Sequence, residues 1–361
     1  MVAAARHDAI LRELELRGSL ANATFAARMG VSMMTLRRDL IDLEARGLLH
    51  RVHGGAVSPA VDAQQRRASG ERPRSAPIAM GGMLVPPAAY YFPEVIRGAG
   101  DAARELNCRL VVGTTNYNPA EELRQARKLI ADGVDALLLT PHDTIHVDSP
   151  LREVIDNADI PVFLIERGVE EQHAGGLEWV RSDHAAGAET AVRHLREIGH
   201  TRIVLAARPA ATAGDLRRGF ERAMSTTDGP ALWWPLSTPP AGETVVLDEI
   251  DALLDACVAQ QIDAAIVLGD ADAMAFTDRA IARGIRIPDD LAIVAYDDEI
   301  SAHAAVPLTA VAPPKRELGH TALRLCFDRL RQPIGSPRTI VRMILLPNLV
   351  VRESTIGPAS A

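Results

Sequence analysis

Residues 31–56 read VSMMTLRRDLIDLEARGLLHRVHGGA, and their types and spacing fit one chemistry, hydrogen bonding to a nucleic acid. Ser32 caps a helix that runs to Gly47, in which Leu36, Leu40 and Leu43 recur at helical spacing and must face a core. Met34 and Arg38 then point roughly opposite, with Thr35 and Arg37 on the flanks. Long guanidinium donors on the free face of a helix can read base edges, guanine above all, and Thr35 can reach a phosphate from the helix edge. Met34 can meet thymine methyls or simply pack. Arg51 and His53 lie on the short basic stretch that follows, closed by Gly54-Gly55, where they would add phosphate or minor-groove contacts.

These side chains need elements to position them. Residues 6–17 place Ile10, Leu11 and Leu14 on one helical face and stop at Gly18; a second short helix near 22–29 buries Phe25, Ala26 and Met29. Leu48 to Val57 makes a hairpin. This is the layout of a winged helix-turn-helix, which places one helix in the major groove of DNA. The bland alternative is an amphipathic surface helix with solvated arginines. Against it stands the whole arrangement, three helices with fitting turns and then a basic hairpin at one end of the chain.

The charge distribution agrees. Residues 1–76 hold 12 Arg against 8 Asp and Glu, a balance of +4, and residues 77–361 hold 27 Lys and Arg against 39 Asp and Glu, a balance of −12. A basic amino-terminal module on an acidic body confines the nucleic-acid contact to one end. The 361 residues suit two or three domains, and 47% hydrophobic with 24% charged residues is the composition of a soluble globular protein. Three widely spaced cysteines without a CxxC pair argue against a disulfide framework or structural zinc. With neither a signal pattern nor a membrane-length apolar run, a cytoplasmic location is expected.

Residues 58–76 are polar, rich in Arg, Pro and Ala and without periodicity, as in a linker. From Pro77 strands alternate with helices. Strands are expected at 77–85, 109–113, 135–140, 161–165, 202–207, 264–268, 291–295 and 339–346. Helices are expected at 93–106, 119–132, 150–158, 184–198, 215–226, 246–260, 271–283 and 315–331. That alternation implies doubly wound α/β architecture with parallel sheets, whose ligands bind at the carboxyl ends of strands. GAGDAA at 98–103 matches a dinucleotide fingerprint but sits inside a helix, where the fingerprint has no meaning. His142, Asp143, His146 and Asp148 lack metal-ligand spacing and read as a solvated loop. No Ser-His-Asp or Cys-His arrangement stands out, so neither catalysis nor a cofactor is expected.

Residues 6–57 resemble the amino-terminal winged helix of DeoR-family bacterial repressors, whose signature is matched by VSMMTLRRDLIDLEARGLLHRVHGGA, with Leu36 in place of isoleucine. The body, about 77–356, is instead similar to the effector domain of LacI/GalR repressors and periplasmic sugar-binding proteins. VDALLLTP (134–141), IPVFLIERG (160–168), the stretch 180–206, RGIRIPDDLAIVAYDD (283–298), PLTAV (307–311) and LPNLVVREST (346–355) carry that resemblance. It implies two Rossmann-like lobes joined by three crossovers, here near 166–180, 296–300 and 329–338. The implied organisation is a DNA-binding domain at 1–57, a linker at 58–76 and an effector domain at 77–361. Lobe 1 would take about 77–166 and 300–329, and lobe 2 about 180–296 and 338–361.

The same resemblance places effector contacts at Tyr91 and Phe92, which would stack on a ring, and at Glu166 and Arg167, which would bond hydroxyls. Asp143, Asp183, Glu189 and Asp270 fall at or near cleft-lining positions, and Arg217 or Arg218 would reach in from lobe 2. Asp297, Asp298 and Glu299 fall at a crossover, where hinge hydrogen bonds explain them. Three departures, Ala89, Leu216 and Pro313, each remove a hydrogen-bonding side chain the pattern usually has, which widens the ligand from a plain sugar to a nucleoside or modified sugar. The implied function is a ligand-responsive transcriptional regulator, a repressor that binds operator DNA as a homodimer. The alternative is a solute-binding protein, or a carbohydrate- or nucleoside-related enzyme, with an accessory DNA-binding domain.

Overall fold

The computed structural model describes residues 3–52, 55–58, 79–86, 89–142, 145–169, 171–225, 231–240, 243–332 and 339–356. The chain divides into two units, Met1–Pro77 and Ile78–Ala361. His53, Asp143 and all but the first residue of the linker 58–76 lie outside the described residues.

In the first unit the apolar periodicity resolves into helices Ala3–Arg17, Asn22–Met29 and Met33–Ala45. A small antiparallel sheet, β1 (Ser19–Ala21), β2 (His50–Val52) and β3 (Gly55–Val57), forms in the order β1-β3-β2. Ile10, Leu14, Phe25, Leu36, Leu40, Leu43 and Leu49 close one core. Gly30, at φ +63°, ends the second helix in the left-handed conformation that a side chain would disfavour. Gly55 has no room for a side chain either, because an added Cβ would overlap the Leu20 carbonyl of the neighbouring strand.

The second unit contains two six-stranded sheets. Its strands are β4 (Ala79–Val85), β5 (Cys108–Thr114), β6 (Ala136–Leu139), β7 (Val162–Ile165), β8 (Glu178–Ser182) and β9 (Ile203–Ala207). There follow β10 (Leu232–Pro235), β11 (Ala264–Leu268), β12 (Ala292–Tyr296), β13 (Thr309–Ala312), β14 (Arg342–Leu345) and β15 (Asn348–Val350). Lobe 1 has the order β14-β8-β7-β6-β4-β5, all parallel, and lobe 2 has β10-β9-β11-β12-β13-β15, parallel except for β15. Helices cover both faces of each sheet, so four apolar clusters flank the two sheets.

The strand pairing moves all three crossovers from where the sequence places them. They lie at Asp183, at Pro313-Pro314 and at Leu346-Pro347, between strands or helices of opposite lobes. β8 escapes the periodicity because charged Glu178 and Arg181 flank its apolar Trp179 and Val180. Glu178 is nonetheless buried, paired with Arg329 and accepting from the Val341 N–H at 2.8 Å. β13 is only four residues long, and its buried Thr309 is satisfied by Arg352 and Thr355. The expected strand 339–346 ends at Leu345, and β15 begins beyond Pro347 in the other lobe. The crossovers therefore sit where one lobe's strand feeds directly into the other lobe's helix or strand.

Gly98, the first glycine of GAGDAA, faces helix Lys315–Leu330. An added Cβ there would overlap the Arg316 carbonyl, and one at Gly319 would overlap the Val95 carbonyl. The glycines thus let helices Phe92–Glu105 and Lys315–Leu330 approach backbone to backbone.

Candidate nucleic-acid interface and effector site

On the helix Met33–Ala45, Ser32 caps the amino end: its Oγ accepts from the Thr35 N–H at 3.1 Å and lies 2.8 Å from the Thr35 hydroxyl. Met33 is 52% and Met34 83% exposed, and Arg38 is exposed on the same helix, opposite the buried Leu36 and Leu40. The backbone of Arg37 is helical; its side chain lies outside the described residues. Arg51 is committed in the free protein to Glu44, whose carboxylate takes both its backbone N–H at 2.9 Å and its Nε at 2.5 Å. Those bonds hold Glu44 below the usual carboxylate range. A phosphate would have to exchange with Glu44.

Asp39 escapes the sequence reading. It is buried behind the exposed face, where Arg6 donates to it in bidentate fashion at 2.7 and 2.9 Å and His7 Nε2 lies 3.2 Å away. The Arg6 bonds, outweighing burial, lower its pKa. Asp39 therefore fixes the third helix against the first.

In the second unit, the carboxyl ends of the strands gather side chains from both lobes. Six of the eight non-glycine residues with positive φ among the described residues lie there, namely Tyr90, Asn116, Tyr117, Glu166, Asp297 and Asp298. Strained backbone of this kind costs energy and concentrates at functional sites. Glu166, just after β7, is buried. It accepts from the Tyr91 hydroxyl and from the Ser182 N–H and hydroxyl at 3.2 and 2.8 Å, and His184 Nε2 lies 3.4 Å away. Burial pulls its pKa up, but His184, Tyr91 and Ser182 together hold it down at about 2, so it is ionised. His184 Nδ1 in turn meets the Tyr296 hydroxyl at 2.9 Å. This network ties β7 of lobe 1 to β12 of lobe 2 through the first crossover.

Asp270 opens the helix Asp270–Ala282 and is fully buried. Its Oδ2 accepts from the N–H groups of Glu299, Ile300 and Ser301 at 2.6, 2.6 and 3.1 Å, while its Oδ1 has no partner among the described residues. Burial raises its pKa despite the three donors. Asp297, which follows β12, has its pKa pushed up to about 6 by burial and by Asp270, against the pull of Lys315. Lys315 is itself buried: its Nζ donates to the Asp297 carbonyl, lies 2.5 Å from Glu299 Oε1 and sits 5.2 Å from the centre of the Tyr91 ring. It is one of only two lysines in a chain rich in arginine. From lobe 1, the Tyr90 hydroxyl accepts from the Asp270 N–H at 3.0 Å. Arg181 of β8 approaches Asp215 of lobe 2 to 3.6 Å.

Of the residues the resemblance nominated, Tyr91, Glu166 and Asp270 meet in this arrangement. Arg167 stands beside it, its Nη1 donating to the Glu166 carbonyl at 3.1 Å and its Nε without a partner. Asp183 caps the helix His184–Glu197 by accepting from the Ala186 N–H at 2.9 Å. Phe92 is 3% exposed and packs into the lobe 1 core with Val95 and Ala99, so the aromatic pair at the cleft is Tyr90 and Tyr91. Glu189 pairs with Arg222 between two helices of lobe 2. Arg217 pairs with Glu221 and lies 5.4 Å from the Trp233 ring centre, because Leu216 and Phe220 take the core-facing positions of its helix. Arg218 pairs with Asp215. Tyr90, His184 and Lys315 were missed, the run Tyr90-Tyr91-Phe92 being the available signal, and Asp297, expected at a crossover, instead follows β12 within lobe 2.

Comparison with known proteins finds matches across the chain. Residues 6–61 match the DeoR-like helix-turn-helix domain, residues 80–230 the periplasmic binding proteins and sugar binding domain of the LacI family, and residues 192–355 a periplasmic binding protein-like domain. The HTH-type transcriptional regulator DegA of Bacillus subtilis is 29% identical over 268 residues, 73% of this chain and 77% of that protein. The arabinose metabolism transcriptional repressor of Geobacillus stearothermophilus is 26% identical over 336 residues, 91% of this chain and 89% of the relative. Among solved structures, a transcriptional regulator CelR–cellobiose complex superposes with a TM-score of 0.63 at 27% identity, covering 82% of this chain and 91% of that one.

Proposed function

Taking as premise a ligand-responsive HTH-type transcriptional regulator, in which a DeoR-like helix-turn-helix is joined to a LacI-type periplasmic-binding-protein-like body, we propose that this chain is a repressor. It binds operator DNA through the helix Met33–Ala45 and a small sugar-like or nucleoside-like metabolite between the two lobes. The observation that carries this reading is the pairing of an exposed, basic helix at one end with a polar, strained cleft in the body. The names of the relatives, a repressor of arabinose metabolism and a regulator crystallised with cellobiose, support a sugar-related effector.

On the DNA side, Met34 and Arg38 meet base edges, Thr35 and Ser32 reach phosphate at the helix end, and Arg37 extends the same face. On the effector side, Glu166 offers an ionised acceptor, and among the described residues Arg167 has an N–H and Asp270 a carboxylate oxygen without a partner. A homodimer supplies two recognition helices for two half-sites, and lobe movement around the effector changes their spacing. Gel-shift titration of the full chain on its upstream DNA, with neutral sugars, sugar phosphates and nucleosides as additions, tests the reading. Specific binding released by one metabolite class is the expected result; binding unaffected by all of them would count against the effector half alone.

A further inference from the structure

We propose, building on the reading that this cleft holds the effector, that Tyr90 is an internal stand-in for a ligand hydroxyl. Its phenol occupies a subsite on lobe 2 formed by the Asp270 N–H and the Asp297 carboxylate, and an effector binds by putting a hydroxyl of its own there. Four observations converge on Tyr90. It belongs to lobe 1, yet its hydroxyl accepts from the Asp270 N–H at 3.0 Å and stands close enough to the Asp297 carboxylate to shift its charge balance, both in lobe 2. Its backbone is left-handed, at φ +55°, a conformation that a bulky aromatic residue holds only under constraint. The residue is 42% exposed and belongs to none of the core clusters, so hydrophobic burial does not account for its position. Finally, the subsite it fills is unfinished, since the neighbouring Asp270 Oδ1 is buried without a donor.

The chemistry of the displacing group follows from these two neighbours, the Asp270 N–H and the Asp297 carboxylate. The Asp270 N–H stands at the first position of a helix and has no intrahelical acceptor, so the group must accept. Asp297 is a carboxylate flanked by Asp270, so the group must also donate. A hydroxyl does both, whereas an ether, a carbonyl or a carboxylate does only one. A polyol with a second hydroxyl adjacent to the first could also donate to Asp270 Oδ1, to which Tyr90 makes no bond. Tyr90 thereby sets a threshold: until it leaves, only part of the population is competent to bind, and apparent affinity falls by that fraction.

The test compares the full chain with its Tyr90→Phe variant, which keeps the ring and removes only the hydroxyl. Without ligand, hydrogen exchange at the Asp270 amide should quicken in the variant. With cellobiose and with D-ribose as probes, calorimetry should show at least one sugar binding Tyr90→Phe more tightly, on the order of fivefold, the worth of one competing hydrogen bond. Equal or weaker affinity for both sugars, including no measurable binding to either protein, overturns the proposal, as does unchanged exchange at Asp270. Such a failure would leave operator binding and its release by a metabolite untouched, so the two readings fail separately.

Discussion

Asp297 is where burial and a neighbouring carboxylate most strongly oppose ionisation in the cleft, and the consequence is measurable. Its pKa, about 6 in the fold against an ordinary 3.8, means that between these values the folded chain holds a proton that the unfolded chain has released. Stability contributed by this group therefore falls as pH rises from about 4 to about 6 and is level above that. Asp297→Asn should flatten that slope in thermal melts from pH 4 to 7.5 and add roughly 1–3 kcal/mol at pH 7; a variant with the wild-type slope would contradict this assignment. At the other end of the chain, Arg38→Ala should weaken operator binding by about 1–3 kcal/mol, read by fluorescence anisotropy, with little effect on folding because Arg38 is exposed. Arg38 and Thr35 could be found from the sequence because helical spacing alone decides which face is free. Asp297 was legible only as a hinge carboxylate, because its cleft chemistry depends on Asp270, Tyr90 and Lys315 arriving from three other elements.

Among the elements, the recognition helix depends on a polar brace as much as on its leucines. Asp39→Ala leaves Arg6 without its carboxylate at the join of the first and third helices, so the winged helix should lose about 1–3 kcal/mol. Thermal melts and operator titration of that variant should show the loss together. In lobe 1, Gly319→Ala sets a methyl against the Val95 carbonyl and should destabilise by about 1–3 kcal/mol or more through forced separation of helices Phe92–Glu105 and Lys315–Leu330. The helices were legible because their apolar faces repeat over three or more turns. The strands that were missed, β8, β10, β13 and β15, are three to five residues long and draw their burial from partners remote in sequence, as Glu178 does from Arg329. A local pattern does not carry that information.

At the scale of the whole molecule, the alternation of strands and helices revealed the parallel α/β sheets and the family resemblance implied two lobes, but neither told which lobe each late strand joins. That assignment depends on the prolines at 313–314 and 347, which let the chain change lobes without a loop. The crossovers at Asp183, Pro313-Pro314 and Leu346-Pro347 make the residues around Glu166, His184 and Lys315 the hinge as well as the cleft floor. On the proposed function, effector binding and lobe movement act on the same side chains. The central claim is that occupancy of this cleft governs DNA binding by the winged helix, and anisotropy of the full chain on its upstream DNA tests it most directly. The account predicts sequence-specific binding that weakens as salt rises, and one hydroxyl-bearing metabolite that shifts the affinity by about 5- to 150-fold. Specific binding that no sugar, sugar phosphate or nucleoside alters, or binding with no sequence preference at all, would contradict it.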